Sequence, residues 1–298
     1  MSKQPHELLF GSFITPSANR VDQVVALTRL SEQAGLDIAT FQDHPYQPRL
    51  LDSWTLISYL AAATSRIKLA PNVMNLPLRQ PVVIARSTAT LDLLSGGRVE
   101  LALGAGGFWD AIEAVGGRRL TPGESVDALE EAITIIREIW DAGTRGAVRR
   151  DGNHYHVAGA KRGPAPAHDI GIWVGAYRPR ILRLVGRVAD GWLPSLPYIE
   201  GGLAGLAQAS RHIDEGAEAA GRDPSSVRRL LNIGAPTAAG NPGVLGRSLT
   251  QWAEQLAEIT LDHGVTGYIL GGDDPTAIQQ FGEEVAPQVR ELVRKATT

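Results

Sequence analysis

The chain has 298 residues, of which 43% are hydrophobic and 20% are charged. This length can build a single large domain, and α/β barrels commonly use it in that way. The net charge of −3 gives no reason to expect a nucleic-acid or membrane-surface partner. The absence of cysteine excludes disulfides and a cysteine nucleophile. We see neither a signal-peptide core nor a membrane-spanning apolar run, and we expect a cytoplasmic protein.

Strand and helix patterns alternate through the first half of the chain. Short apolar runs predict strands, and apolar residues at helical spacing follow each of them. Pro45 forbids orderly continuation of the second strand, so we expect His44 at its very end. Asp52 is a candidate N-cap for the helix that follows. The predicted strands cover about residues 8–14, 38–44, 67–75 and 99–103.

The same alternation continues in the second half after one interruption. Thr121 and Glu124 fit a capping box at the start of a long helix. Residues 144–168 then break the pattern with a hairpin signal and two prolines, and the predicted strands resume at about 172–174, 191–193, 227–233 and 265–270. Eight strand–helix units predict a single-domain (β/α)8 TIM barrel over residues 1–298, with an insertion before the fifth strand lying over it. A doubly wound sheet is the alternative.

In such a barrel the reactive residues lie where strands end. The predicted strand ends are rich in glycine and carry one acid–base pair, Asp43 and His44. They lack paired carboxylates, His-x-His pairs and a strand-end lysine, so we expect neither a metal site nor aldol chemistry. Glycine lets the backbone approach a large flat ligand, which suggests a bound cofactor. These strand ends are at Thr15, 43–44, 72–73, 104–107, 175–178, Ser195, Gly234-Ala235 and 271–272.

Each of these signals also has a simpler interpretation. Residues 104–107 would also suit a tight turn, and they fail the dinucleotide-binding pattern because Trp109 occupies the last glycine position. His44 alone would also suit a loop histidine bonded to backbone. The neighbouring Asp43 and the position at a strand end favour a role in proton transfer.

Four motifs occur in chain order: residues 72–79 (NVMNLPLR), 91–98 (LDLLSGGR), 103–106 (LGAG) and 189–192 (ADGW). Together they resemble the bacterial luciferase-like superfamily of flavin- and deazaflavin-dependent oxidoreductases, and the likeness extends over nearly the whole chain. The resemblance implies a TIM barrel that binds FMN or the deazaflavin coenzyme F420 at the carboxyl ends of the strands.

The resemblance also implies roles for individual residues. Residues 42–44 are similar to the Ser-Asp-His triplet of the F420 branch, whereas the FMN branch more often has Glu-His-His, so F420 is favoured and FMN is the alternative cofactor. His44 would transfer the substrate proton, oriented or tuned by Asp43. A bulge with a cis peptide at Asn72-Val73 would back the cofactor ring, and the phosphate would lie at residues 175–178. The implied cofactor contacts are Asp43, Asn72, Val73, Gly104, Gly106, Gly107, Gly175, Ala176, Tyr177 and Arg178.

We therefore predict an oxidoreductase that transfers hydride between F420 and a small organic substrate. The alternatives are an FMN-dependent monooxygenase supplied by a separate flavin reductase, a non-catalytic flavin-binding protein and an unrelated metal-dependent barrel. Family members are often homodimers, and apolar positions on the second and third helices would suit either a dimer contact or burial within the monomer. The sugar-phosphate dehydrogenases of the F420 branch have an acid where this chain has Gly107 and a tryptophan where it has Pro48, so their substrate is not predicted. Asp110 and Glu113 are the acids nearest to that position in sequence.

Overall fold

The computed structural model describes residues 6–234 and 248–297, so Ala235 and both ends of the predicted domain lie outside the described residues. The strands of this part of the chain are β1 (Leu9–Ile14), β2 (Ile38–Phe41), β3 (Lys68–Pro71), β4 (Met74–Asn75), β5 (Leu101–Gly104), β6 (Val148–Asp151), β7 (His156–Ala160), β8 (Ile172–Val174), β9 (Gly191–Trp192), β10 (Arg228–Gly234) and β11 (Gly267–Gly271). The helices are α1 (Val21–Gln33), α2 (Ser53–Ala63), α3 (Pro81–Ser95), α4 (Trp109–Ala114), α5 (Pro122–Trp140), α6 (Pro179–Val188), α7 (Leu203–Ala219), α8 (Leu249–His263), α9 (Pro275–Gln280) and α10 (Ala286–Thr297).

The parallel strands form a barrel in the order β3-β2-β1-β11-β10-β9-β8-β5-β4. β3 and β4 are two halves of one strand, interrupted at Asn72-Val73. A parallel bridge between Leu69 and Val99 joins the third strand to the fourth, where the Glu100 amide donates to the Leu69 carbonyl at 3.0 Å. Eight strand positions therefore close on one another. The predicted (β/α)8 barrel is confirmed, and a doubly wound sheet would have left this ring open.

One side chain from each of the eight strand positions fills the lower lumen of the barrel. Trp173 is the largest of them, and a Cβ on Gly191 would lie 2.6 Å from its indole, so the sixth strand begins with glycine. The lumen is therefore a packed core, so a ligand would reach the barrel backbone at the strand ends. The eight residues are Leu9, Ile38, Ala70, Ala102, Trp173, Leu193, Leu230 and Ile269.

The predicted helix starts are confirmed at two places. Asp52 caps α2 by accepting from the Thr55 amide at 2.8 Å. Thr121 and Glu124 form the full capping box of α5. Two features differ from the prediction: β2 ends at Phe41 rather than at His44, and the short helix α4 follows the glycine-rich end of β5. Asp43 and His44 follow the end of this strand, and their contacts are described below.

The insertion packs on the outside of the barrel. β6 and β7 pair as an antiparallel hairpin. Glu131 of α5 accepts hydrogen bonds from the amides of Asn153, His154 and Tyr155 at 3.0–3.1 Å. Arg86 of α3 donates to the carbonyl of Lys161, near the end of the insertion, at 2.6 Å. The insertion thus covers the outer flank of α5.

Candidate active site

Asp43 is locked in place at the end of the second strand. Its carboxylate accepts from the backbone amide of Asn75 at 2.8 Å. It also accepts from Arg79, through Nε at 3.2 Å and through Nη2 at 2.9 Å. Arg79 also donates to Asp52, the cap of α2, at 2.9 Å. The Asp43 side chain is 1% exposed. Arg79 was not among the predicted site residues, although it stands in the motif that carried the family resemblance.

His44 lies beside Asp43 and is half-buried. Its Nδ1 is 2.7 Å from the hydroxyl of Tyr46, and the ring of Phe108 contacts the imidazole edge-on with centroids 5.5 Å apart. Burial lowers the pKa of His44, while the charge of Asp43 acts in the opposite direction. The imidazole is therefore neutral near pH 7. Asp43 acts on it through charge, and Tyr46, which sequence reasoning missed, is its hydrogen-bonded partner.

The bulge in the third strand has the form that the resemblance implied, with a cis peptide between Asn72 and Val73. The side-chain amides of Asn72 and Asn232 bond reciprocally, at 2.7 and 3.1 Å. Thr40 accepts from Asn72, and Ser195 accepts from Asn232. This buried network joins four strand ends. Sequence reasoning also missed Asn232. The feature that could have revealed it is a single amide side chain within an apolar strand.

The glycines of the fourth and fifth strand ends have different reasons to be glycine. A Cβ on Gly104 would lie 2.7 Å from Val73 Cγ2, and one on Gly175 would lie 3.4 Å from the same side chain. Gly106 has φ +103°, and a Cβ there would meet Trp109. Around Gly107, no described residue comes within 4 Å of an added Cβ. Gly104 therefore makes room for the bulge, an added Cβ on Gly175 would only touch it, and Gly107 faces open space.

The fifth strand end leads into α6. Ala176 is buried, and its carbonyl accepts from Trp192 Nε1 at 2.9 Å. The Tyr177 hydroxyl accepts from the Ser195 amide at 2.9 Å, so Tyr177 leans toward the sixth strand end. The Arg178 side chain is largely exposed and stands at the N-cap of α6. Tyr177 and Arg178 are thus accessible at a helix start, whereas Ala176 is occupied by internal packing.

Asp110 and Glu113, the acids that follow Gly107 in the sequence, do not have free carboxylates. Arg119 forms ion pairs with both Asp110 and Glu113, and all three side chains are exposed.

One buried acceptor at the strand ends lacks a donor. Asn75 Oδ1 has no hydrogen-bond partner in the ranges 6–234 and 248–297. Within the same ranges, His, Asp and Glu side chains form no cluster that could hold a metal ion. No helix in the described part is long and apolar enough to cross a membrane.

A closed barrel, a bulged third strand and an Asp-His pair after the second strand are the features that the family resemblance implied. Residues 8–242 match the model of the luciferase-like monooxygenase family, and the chain belongs to that family. The resemblance found in the sequence is thereby confirmed.

Individual relatives and a solved structure are similar to most of the chain. The chain is 28% identical over 274 residues to an F420-dependent glucose-6-phosphate dehydrogenase of Intrasporangium calvum, which covers 89% of this chain and 78% of the relative. It is 29% identical over 275 residues to a 5,10-methylenetetrahydromethanopterin reductase of Archaeoglobus fulgidus, covering 91% and 73%. The solved structure of an F420-dependent secondary alcohol dehydrogenase in complex with an F420-acetone adduct superposes with a TM-score of 0.81, covering 95% of this chain and 99% of that chain. Its identity is 20%, so this likeness supports the fold alone.

Proposed function

We propose that this chain transfers hydride between coenzyme F420 and a small organic substrate. The observation that carries the proposal is the neutral, half-buried imidazole of His44 at the mouth of the barrel, next to a buried carboxylate. A passive binding protein has no need of a proton-transfer group in that position. The F420-dependent relatives that match most of the chain support the same cofactor.

The residues at the strand ends fit a flat ring with an N–H edge. Val73 is half-buried, and its neighbours Gly104 and Gly175 have no Cβ to compete for the space. Asn75 Oδ1 is a buried acceptor without a partner in the described residues, and a ring N–H would supply the missing donor. Asn72, Val73, Asn75 and the backbone at Gly104–Gly107 would therefore hold the ring, and Tyr177 and Arg178 would contact the phosphate at the start of α6.

When bound, F420 supplies or accepts the hydride. The chain's own residues would handle the proton. In the direction of oxidation, the neutral imidazole of His44 would take the proton of the substrate hydroxyl as the neighbouring carbon loses its hydride, and in the direction of reduction the imidazolium would return that proton to the substrate oxygen. The fixed negative charge of Asp43 stabilises the imidazolium that forms on proton uptake. The rings of Tyr46 and Phe108 shield the imidazole from water.

A second candidate function is an FMN-dependent monooxygenase, which the family description favours. To separate the two, the purified chain would be titrated with F420 and, separately, with FMN, while absorbance and fluorescence quenching are recorded. We expect saturable binding of F420 and weak binding of FMN. Tight FMN binding with oxygen consumption in the presence of a flavin reductase would overturn the proposal. F420 binding without hydride transfer to or from any alcohol or carbonyl tested would favour a non-catalytic flavin-binding protein.

We also propose a homodimer formed through the outer face of α2 and α3. A groove of about 710 Å³ lies between these helices, lined by apolar residues that include Trp54, Val83 and Leu94. Val83 is 62% exposed and Leu94 is 80% exposed, and exposure of such large apolar side chains is costly on a free surface.

The test is the mass of the protein in solution. Light scattering should give twice the chain mass of 31.8 kDa. Leu94→Glu should give the monomer, whereas Leu261→Glu, at an exposed leucine on α8, should not. The cytoplasmic location stays a prediction.

A further inference from the structure

We infer that the substrate of this site is an uncharged alcohol, or the matching carbonyl compound, that carries an aryl group, and that Phe108 is the residue that selects the aryl group. The inference rests on the proposed function, because it names the substrate class of the same site. The observation that carries it is the ring of Phe108, which is 63% exposed although it packs against His44.

Phe108 is held at the mouth by the backbone around it. It follows the glycine-rich end of β5 and precedes α4, where the Ile112 amide donates to its carbonyl at 2.9 Å. Ile112 is fully buried, which anchors this short helix. The Phe108 ring contacts His44 edge-on, with an angle of 81° between the ring planes, and lies 6.1 Å from the ring of Tyr46. These contacts cover part of the ring and leave the rest of it open beside the imidazole.

An exposed phenyl ring in this position favours an aryl group on the substrate. Any apolar group gains free energy by covering the ring, but a second ring gains more, because the edge of one ring is attracted to the face of another. The rings of His44, Tyr46 and Phe108 already pack with their planes tilted by 53–81° to one another. An aryl group on Phe108 would extend this cluster by one ring.

A cationic substrate would also be attracted to the face of Phe108. It would, however, lie beside the imidazolium that forms on His44 during proton uptake. The carboxylate of Asp43 is already paired with Arg79 at 2.9 Å, so it offers little compensation. The repulsion between the two positive charges therefore disfavours a cation at this position.

Polar groups near the ring are already engaged. Arg79 and Arg119 each bind two carboxylates, so neither guanidinium is free to hold a phosphate or carboxylate of the substrate. The hydroxyl of Tyr46 is bonded to His44 at 2.7 Å, which makes it a poor partner for the hydroxyls of a sugar. An uncharged substrate with one polar group needs none of these partners.

One small molecule can satisfy both His44 and Phe108. The hydroxyl of a secondary alcohol such as 1-phenylethanol would face His44, and its phenyl group would lie against Phe108. In the direction of oxidation, the carbinol carbon loses its hydrogen as hydride to F420, the hydroxyl loses its proton to the neutral imidazole, and acetophenone is left. In the direction of reduction, acetophenone gains hydride from reduced F420 and the proton from the imidazolium.

The test compares alcohols that share the reacting group and differ in the group beside it. Initial rates of F420 reduction would be measured with 1-phenylethanol, with 1-cyclohexylethanol, whose ring is aliphatic and of similar size, and with glucose 6-phosphate. We expect the wild type to favour 1-phenylethanol over 1-cyclohexylethanol by about threefold or more in kcat/KM, as an aromatic pair predicts, and not to turn over glucose 6-phosphate.

Two variants of Phe108 separate its ring from its place in the fold. Phe108→Leu should abolish the preference between the two alcohols, and Phe108→Tyr, which keeps the ring, should retain it. Because both alcohols give their proton to His44, a change around the imidazole would lower both rates and leave their ratio unchanged. The ratio therefore reports contact between Phe108 and the substrate.

Equal kcat/KM values for the two alcohols in the wild type would overturn the inference, even if Phe108→Leu does not fold. An unchanged ratio in a folded Phe108→Leu variant, or a preference for glucose 6-phosphate, would overturn it as well. If F420 is not turned over with any substrate, the proposed function fails, and ligand-observed NMR decides the inference separately. The wild type should bind acetophenone about threefold or more tightly than cyclohexyl methyl ketone, and equal binding would overturn the selection of an aryl group.

Discussion

The two ends of the barrel both bury carboxylates, but they treat them differently. At the base, where the strands begin, Asp92 and Glu100 are almost fully buried, and each is saturated by partners. Asp92 accepts from His168 Nδ1 at 2.9 Å and from the amides of Ala167 and His168, while Glu100 pairs with Lys68 at 2.5 Å. His168 Nε2 also lies 3.5 Å from Glu100. This cluster ties the strand starts and the end of the insertion together.

At the mouth, the buried carboxylate is equally well held, but its neighbours are not saturated. Asp43 is enclosed by Arg79, yet His44 keeps one ring nitrogen that does not bond with Tyr46. Asn75 keeps a buried oxygen without a partner in the described part of the chain. The two carboxylates at the base are therefore saturated, and the buried His168 Nε2, which has no hydrogen-bond partner in the described residues, lies beside Glu100. At the mouth, the unpaired Asn75 oxygen is one of the groups that we propose would hold a ligand.

The largest effect should follow from His44→Asn. Asparagine removes the titratable group but keeps a polar side chain of compatible size in a half-buried position. We expect kcat for hydride transfer to fall by about 10²- to 10⁴-fold, because general acid–base catalysis contributes that much. Steady-state turnover with F420 would measure it, and F420 affinity should change little. Full turnover in this variant would break the contrast, because the mouth would then hold no working proton donor at His44.

Arg79→Gln should destabilise the fold by about 3 kcal/mol, because it leaves the buried Asp43 without its counter-ion. Urea unfolding monitored by circular dichroism would measure the loss. Arg119→Gln is a matched control, since Arg119 also joins two carboxylates but does so at the exposed surface. It should leave the free energy of unfolding unchanged within error. Equal losses in the two variants would show that burial is not what gives the Arg79 pair its value.

Gly104→Ala should weaken F420 binding by about tenfold or more, because the added Cβ would lie 2.7 Å from Val73 and must displace the bulge. Gly143→Ala, which follows α5 outside the proposed ring site and where the nearest atom to an added Cβ is Asp141 Oδ1 at 3.8 Å, serves as the control with the same chemical change. Fluorescence quenching of F420 would give both affinities. If both variants bind alike, the ring does not rest on the bulge.

The smallest effects are opposite dependences of stability on pH. Hydrogen bonding to Glu100 leads the causes that raise the pKa of His168 above 6.5, against the opposing effect of burial. Its stabilising contribution is therefore complete below pH 6.5 and is lost as pH rises through the raised folded-state pKa. Burial lowers the pKa of His44 below 6.5, so protonation of His44 destabilises the fold as pH falls below that value.

Unfolding free energies measured between about pH 5 and 9 would resolve the two contributions. The difference between wild type and His168→Gln should shrink as pH rises, and His44→Asn should relieve a loss of stability on the acidic side. A stabilising effect of His168 that grows with pH would contradict the closed charge cluster at the base.

Much of the fold could be predicted because its signals are local. The capping box at Thr121 and Glu124, the cap at Asp52 and the hairpin in the insertion each depend on residues within a few positions of one another. The position of the insertion could not be predicted in this way. It depends on Glu131, whose carboxylate accepts from amides more than twenty residues further along the chain.

For the candidate site, the sequence indicated the place and some of the residues. Asp43, His44 and the Asn72-Val73 bulge do lie together at the strand ends, where parallel strands of a barrel must bring them. The bonding partners were a different matter: Asp43 was expected to orient or tune His44, and it acts on the imidazole through its charge while its hydrogen bonds go to Arg79 and the backbone amide of Asn75. A side chain's partner depends on direction and distance in space, which a motif does not contain.

By itself, then, the sequence determined the alternation of strands and helices, the family, and the place of Asp43 and His44 after the second strand. Local periodicity, capping residues and motif spacing are properties of short segments and can be seen without the fold. Only the tertiary structure decided that Asn72 pairs with Asn232, 160 positions away, and that Arg79 encloses Asp43 from 36 positions away. The reason is physical: closure of the barrel brings these side chains within bonding distance, and burial there makes each unpaired polar group costly.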